Sequence, residues 1–167
     1  MSNFIKIIIL GIIQGLTEFL PVSSSGHLVF GKHLLGINPP DVTLEIILHF
    51  GTLIAVISFY HERIQSLILP LFQKPKRYHR TKEFRYISNI ILATIPIALV
   101  GLIFGDTIEG IFANAKLTAL FLFITGWFLL FPQLFTIKCV LDITILRGFI
   151  IGLAQTFAIL PGISRSG

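Results

Sequence analysis

The sequence predicts an all-α, polytopic membrane protein with inverted-topology repeats, each a re-entrant helix pair followed by three transmembrane helices, the second repeat being incomplete. Three observations carry that expectation. Of 167 residues, 54% are apolar and only 13% are Lys, Arg, Asp or Glu, against roughly 25% charged in a soluble domain. Sixteen Phe and a mean hydropathy of +0.88 exceed what a soluble core of this size can hide, which makes the bilayer the solvent for much of the surface. Two Gly-to-Gly segments of 16 residues, 11–26 and 152–167, also match each other at an offset of 141.

In chain order, residues 4–20 (FIKIIILGIIQGLTEFL) break into the polar turn PVSSSGH. Gln14, Thr17 and Glu18 are costly against lipid and fit a helix that faces protein or a wet cavity, so a re-entrant pair is expected over about 4–36. Residues 42–60, 86–104 and 117–135 read as full spans; the last two carry no charge over 19 residues each, about 30 Å as a helix. Pro96 and Pro132 mark places for kinks. Residues 143–160 break into PGISRSG much as the first segment breaks into PVSSSGH. The chain therefore divides into a first repeat, 1–140, and the start of a second, 141–167.

Charge is concentrated. Residues 61–85 hold seven Lys and Arg against Glu62 and Glu83, which accounts for the whole formal net charge of +5. A short loop this basic is expected on the cytoplasmic side, and its membrane-like flanks argue against nucleic acid. The loop 105–116, with Asp106, Glu109 and Lys116, then falls outside and is nearly neutral. One Cys, Cys139, excludes an internal disulfide framework and a thiolate metal cluster. No A-x-A-like site follows the first apolar run, so no cleaved signal peptide is expected.

The repeat pairs Gly11 with Gly152, Gln14 with Gln155, Ser23 with Ser164, Ser25 with Ser166 and Gly26 with Gly167, while Pro21 and Pro161 miss by one. Three intervening spans, an odd number, put the two copies in opposite orientations. Inverted repeats with broken helices place polar groups at the repeat interface near the midplane. The pattern argues for a site without choosing its chemistry.

Gln14 and Glu18 are four apart, so a helix projects both from one face. The Glu suits a divalent cation or a proton taken from a nucleophile, and the Gln a neutral donor or acceptor; a structural pair is the alternative. Ser23, Ser24 and Ser25 offer hydroxyls, a helix cap before His27 and exposed amides that suit phosphate. A nucleophilic Ser needs a base, and Glu18 and His27 are both near in sequence. Arg165, flanked by Ser164 and Ser166, presents a planar fork suited to phosphate oxygens; the competing reading is a salt bridge to Glu18 or Glu45. Glu45 and His49 read as a buried hydrogen-bonded pair, and His33, His61 and His79 as facing water or an interface.

GLTEFLPVSSSGHL (15–28), preceded by Gln14, and PGISRSG (161–167) resemble the two signature segments of the undecaprenyl pyrophosphate phosphatase family, the bacitracin-resistance type of integral membrane enzyme. The resemblance implies a Mg²⁺- or Ca²⁺-assisted hydrolase that removes the terminal phosphate of a C55 isoprenoid diphosphate. Such an enzyme recycles the lipid carrier for peptidoglycan synthesis from the bacterial cytoplasmic membrane, with its pocket open to the outer face. The family's E/Q-x-x-x-E pattern falls on Gln14 and Glu18 as metal ligands, its Ser-rich turn on Ser23 to Ser25 with His27, and its Pro-Gly-x-Ser-Arg-Ser motif on Pro161 to Ser166. Glu18, Ser24, His27 and Arg165 are the expected catalytic residues; Ser23, Ser25, Ser164, Ser166 and Arg165 are expected to bind phosphate. Attack by Ser24 and attack by an activated water both remain open. The implied partners are undecaprenyl diphosphate in the bilayer and a second copy in a homodimer, with no nucleic acid. Family members continue with further spans beyond the second motif, so the resemblance also implies a C-terminally truncated chain that is inactive by itself. An inverted-repeat transporter or lipid-carrier flippase shares the broken helices, and a non-catalytic scaffold would need neither the serine turn nor Arg165.

Overall fold

A computed structural model describes residues 2–37, 42–73, 82–134 and 144–165. Among these, every regular element is a helix: α1 (Asn3–Thr17), α2 (Ser24–Leu34), α3 (Val42–Phe59), α4 (His61–Gln73), α5 (Lys82–Ile103), α6 (Gly105–Phe112), α7 (Ala115–Leu134) and α8 (Ile145–Phe157). The three expected spans correspond to α3, α5 and α7 within a few residues. Ser166, Cys139 and His79 lie outside the described residues.

Two expected loops turn out to be partly helical. The basic stretch after residue 60 opens with α4, and the 105–116 connection holds α6. Ile64, Leu67 and Ile68 in α4, and Ile108, Ile111 and Phe112 in α6, recur at three and four residues, an apolar stripe that a count of charges conceals. α3 and α4 meet at 74° and α6 and α7 at 91°. Phe84–Ile103 is a helix long and apolar enough to cross a membrane alone, with mean hydropathy 2.1, and up to three spans result if each bent pair counts as one. At 15 and 13 residues, α1 and α8 reach only about 20 Å, short of the ~30 Å hydrocarbon thickness.

The burial pattern is inverted relative to a soluble protein. Among the described residues the buried apolar side chains are Leu10, Leu28 and Val29 with the prolines Pro96 and Pro161, whereas Gln14, Ser23, Lys32, Glu45, Asn89, Thr118 and Thr125 are buried polar groups. Outward stand Phe50, Ile91, Phe123, Trp127 and Phe128, all at least 60% exposed. In water that surface would aggregate. In lipid it is the expected exterior, and the polar groups gather where protein meets protein.

Close helix contacts are made by small residues. α5 and α8 form the most extensive pair. A Cβ on Gly152 would stand 2.5 Å from the Ala93 carbonyl oxygen, and one on Gly148 would stand 3.3 Å from Asn89, so the two backbones touch where larger residues would part them. Within the α1–α2 pair, Gly31 admits Leu10 in the same way. α2 also leans on α7, with Gly26 against Leu122.

Candidate functional site

α1 ends where Glu18 caps it, its N–H still bonded to the Gln14 carbonyl at 2.9 Å. The next helix starts at Ser24, with Ser23 as the N-cap whose Oγ accepts the Gly26 N–H at 3.4 Å. The turn between them is tight, and Ser23 adopts φ 63°, a left-handed value that a residue with a Cβ rarely takes. The second motif follows α8, and Gly162 in its turn has φ 102°. These two turns, 139 residues apart, meet: the Gly162 N–H donates to Ser23 Oγ at 3.1 Å, and a Cβ on Gly26 would stand 3.0 Å from Gly162 Cα.

Between them opens a cleft of about 430 Å³. Its polar wall carries Glu18, Ser23, Ser24, Ser25, Ser164 and Arg165, with Glu45 and His49 from α3. Leu20, Ile46, Phe112, Ile159 and Ile163 form the apolar remainder. Of the residues singled out by sequence, His27 and Gln14 do not line the cleft. The His27 ring bonds through Nδ1 to the Ser23 carbonyl at 2.9 Å; a carbonyl only accepts, so Nδ1 carries the proton.

Glu18 is the hub. Its Oε2 accepts from Ser24 Oγ at 2.5 Å and from Gln14 Nε2 at 2.9 Å, and the His49 Nε2 lies 3.6 Å from the same oxygen. The i,i+4 spacing of Gln14 and Glu18 thus yields a side-chain hydrogen bond, with the Gln as donor. The Gln14 Oε1, turned away from that carboxylate, is buried and has no hydrogen-bond partner among the described residues.

Glu45 and His49 do not form the side-chain pair expected from sequence. The Glu45 carboxylate is ion-paired to Lys32 of α2, both side chains 4% exposed, while His49 Nδ1 donates to the Glu45 backbone carbonyl at 2.8 Å and so points Nε2 towards Glu18. The reason is reach: four residues apart on one helix, the two side chains face a richer partner each across the α1–α2 pair. Arg165 makes no ion pair with Glu18 or Glu45, and none with any other described residue. Its charge is exposed at the cleft.

With this geometry in view, residues 7–167 match the family model described as bacitracin resistance protein BacA. The chain belongs to the BacA family. It is 40% identical over 164 residues to an undecaprenyl-diphosphatase of Halothermothrix orenii, covering 97% of this chain and 60% of that protein. Undecaprenyl-diphosphatases of Methanococcus maripaludis and Thermosipho africanus are 41% and 42% identical, each over 96% of this chain and over 63% and 62% of their own length. The chain thus spans about three fifths of the curated relatives it matches.

Lys32 and Thr125 are contributors that local sequence does not mark, and for His49, which it does, the approach to Glu18 is the contact it misses. The Lys32–Glu45 pair carries a prediction of its own. Lys32→Met leaves a buried carboxylate without its counter-charge and is expected to cost about 3–5 kcal/mol, read as a lowered unfolding temperature in detergent. Lys32→Met combined with Glu45→Met should recover most of that loss; a double variant as unstable as the single one would show that charge pairing is not what the two side chains supply.

Proposed function

We propose that this BacA-family protein is an undecaprenyl-diphosphate phosphatase, releasing inorganic phosphate from the C55 isoprenoid diphosphate and returning the monophosphate carrier to cell-wall synthesis. The observation that carries the reading is the Ser24–Glu18 hydrogen bond of 2.5 Å, set in a cleft that also holds Arg165, which makes no ion pair among the described residues. A hydroxyl already donating to a carboxylate is one proton transfer from being a nucleophile.

Ser24 Oγ attacks the terminal phosphorus, its proton passes to Glu18 Oε2, and the bond from that phosphorus to the bridging oxygen breaks with the lipid monophosphate as leaving group. Glu18 then releases that proton to the departing lipid monophosphate or to solvent, and water attacks the phosphoserine phosphorus, its proton passing through Glu18 to Ser24 Oγ as the serine–phosphorus bond breaks and inorganic phosphate departs. Glu18 fills the role of base in this scheme because it bonds to Ser24, whereas His27 is turned to its own helix backbone. Arg165, with the hydroxyls of Ser25 and Ser164, balances charge on the transferring group. Ser23 serves the turn instead: its two lone pairs receive the Gly26 and Gly162 N–H groups, so its 3.3 Å contact with Ser25 has Ser23 as donor and leaves the Ser25 proton for a phosphate oxygen.

The donor set fits Mg²⁺ or Ca²⁺, because among the described residues the Glu18 side-chain contacts fall on Oε2 and leave Oε1 for a hard cation. Gln14 joins such a set only with its amide reversed, since the nitrogen now faces Glu18. Among the described residues no three of His, Cys, Asp and Glu cluster as a metal site; a cation held by one carboxylate together with substrate phosphates requires no such cluster. When bound, the cation supplies charge neutralisation of the diphosphate.

The apolar wall of Phe112, Ile159 and Ile163 offers a surface for the first isoprene units. In this reading the two motif turns belong to inverted repeats, the basic stretch 61–85 faces the cytoplasm, and the cleft opens to the outer face of the cytoplasmic membrane; a homodimer is compatible with it.

The test is phosphate release from undecaprenyl diphosphate by the purified protein in detergent, with no ion gradient, expressed from its complete reading frame. Ser24→Ala is expected to lower kcat by about 10³-fold or more. Near-normal turnover in that variant would assign the attack to water, and no phosphate release by the unaltered protein would favour the transporter reading.

A further inference from the structure

We infer that Thr125 of α7 is a positioning residue for the phosphate clamp, holding the Arg165 turn in register with Ser24; this rests on the phosphatase reading above. Thr125 is 7% exposed. Its hydroxyl donates to the Gly162 carbonyl at 2.7 Å and accepts the Ser164 N–H at 3.1 Å. Four other threonines return their hydroxyl to their own helix: Thr17 to Ile13, Thr52 to His49, Thr94 to Ile90 and Thr156 to Leu153. Thr125 instead spans 37 and 39 residues of sequence to reach the second motif.

The position of the brace explains its use. Gly162 is fixed through both of its peptide groups, the N–H by Ser23 and the C=O by Thr125. Ser164, one residue before the guanidinium, is fixed through its N–H by the same Thr125 hydroxyl. Arg165 itself is exposed and held by no ion pair among the described residues, so the direction of its backbone decides where its side chain starts. Glycine at 162 is required by φ 102° and by the approach of the Thr118 carbonyl, 2.6 Å from where a Cβ would stand. A glycine-containing turn is soft, and the hydroxyl removes that softness. An error of about 1 Å in a charged clamp is enough to cost two orders of magnitude in rate.

The experiment compares Thr125→Val, which keeps shape and removes both hydrogen bonds, with Thr125→Ser, which keeps them. Calorimetric binding of inorganic pyrophosphate with Mg²⁺ present should weaken about tenfold in the Val variant and return to within about twofold of the unaltered protein in the Ser variant. Amide exchange at Ser164 should accelerate in the Val variant, while the amides of α8 keep their protection and report an intact fold. With undecaprenyl diphosphate, KM should rise more than kcat falls. Pyrophosphate bound equally by the Val variant, unchanged exchange at Ser164, or no rescue by Ser would each overturn the assignment. If the unaltered protein hydrolyses no lipid diphosphate, the phosphatase reading falls, and the pyrophosphate and exchange measurements still decide whether Thr125 positions an anion clamp.

Discussion

Arg165→Ala is expected to lower kcat/KM by about 10³-fold or more, the scale on which removal of an arginine from a phosphoryl-transfer site acts. The size follows from what surrounds the guanidinium. Glu45 is already neutralised by Lys32 and Glu18 is engaged by Ser24 and Gln14, so no described carboxylate competes for Arg165. Its fork is left to an anion. Arg165→Lys keeps one positive charge and loses the bidentate geometry, and should recover only part of the activity. Because the side chain is exposed and makes no ion pair among the described residues, the unfolding temperature should not move in either variant. Steady-state kinetics alongside a melting curve make the check: turnover within tenfold of normal in the Ala variant would remove Arg165 from the reaction.

Glu18→Gln is the second large effect, and it should differ in kind. The substitution keeps size and a hydrogen-bond acceptor near Ser24 while removing the base, so kcat is expected to fall about 10²–10⁴-fold with KM little changed. Pyrophosphate affinity separates the two variants in the absence of added metal: it should survive Glu18→Gln and be lost in Arg165→Ala. A Gln variant that loses affinity and keeps kcat would make Glu18 a binding residue only.

Much of this arrangement was legible in the chain because it is local. Gln14 and Glu18 lie one helical turn apart, and their hydrogen bond follows from the period of the helix. Ser23 precedes a helix at a turn closed by Gly26, the pattern of an N-cap, and it caps. The uncharged runs 86–104 and 117–135 became most of α5 and α7 because no charged residue interrupts them. The amphipathic α4 and α6 are masked by their charged residues, which give the composition of a loop although the apolar positions keep helical spacing. His49 and Thr125 were illegible for a different reason. Each sits in an apolar run: the His49 ring bonds to its own helix through Nδ1 while its Nε2 faces Glu18 of α1, and the Thr125 hydroxyl reaches the second motif, so in both cases a contact comes from a segment far away in sequence. Glu45 was assigned to the neighbour four residues on, when a lysine on α2 lay within reach. Patterns within one helix are written in its sequence, whereas contacts between helices depend on how the helices dock.

The backbone of Ser23 has a consequence for the order of assembly. A non-glycine residue at φ 63° costs about 1–3 kcal/mol, and the contact that anchors its Oγ from outside the turn is the N–H of Gly162. That residue is synthesised 139 positions later, roughly ten seconds or more behind at ribosomal speeds. During that interval the nascent first turn has no clamp opposite Ser24, and its strained neighbour is held by bonds within its own turn without the one from Gly162. The cleft therefore comes into being only when the second turn arrives and docks against the first.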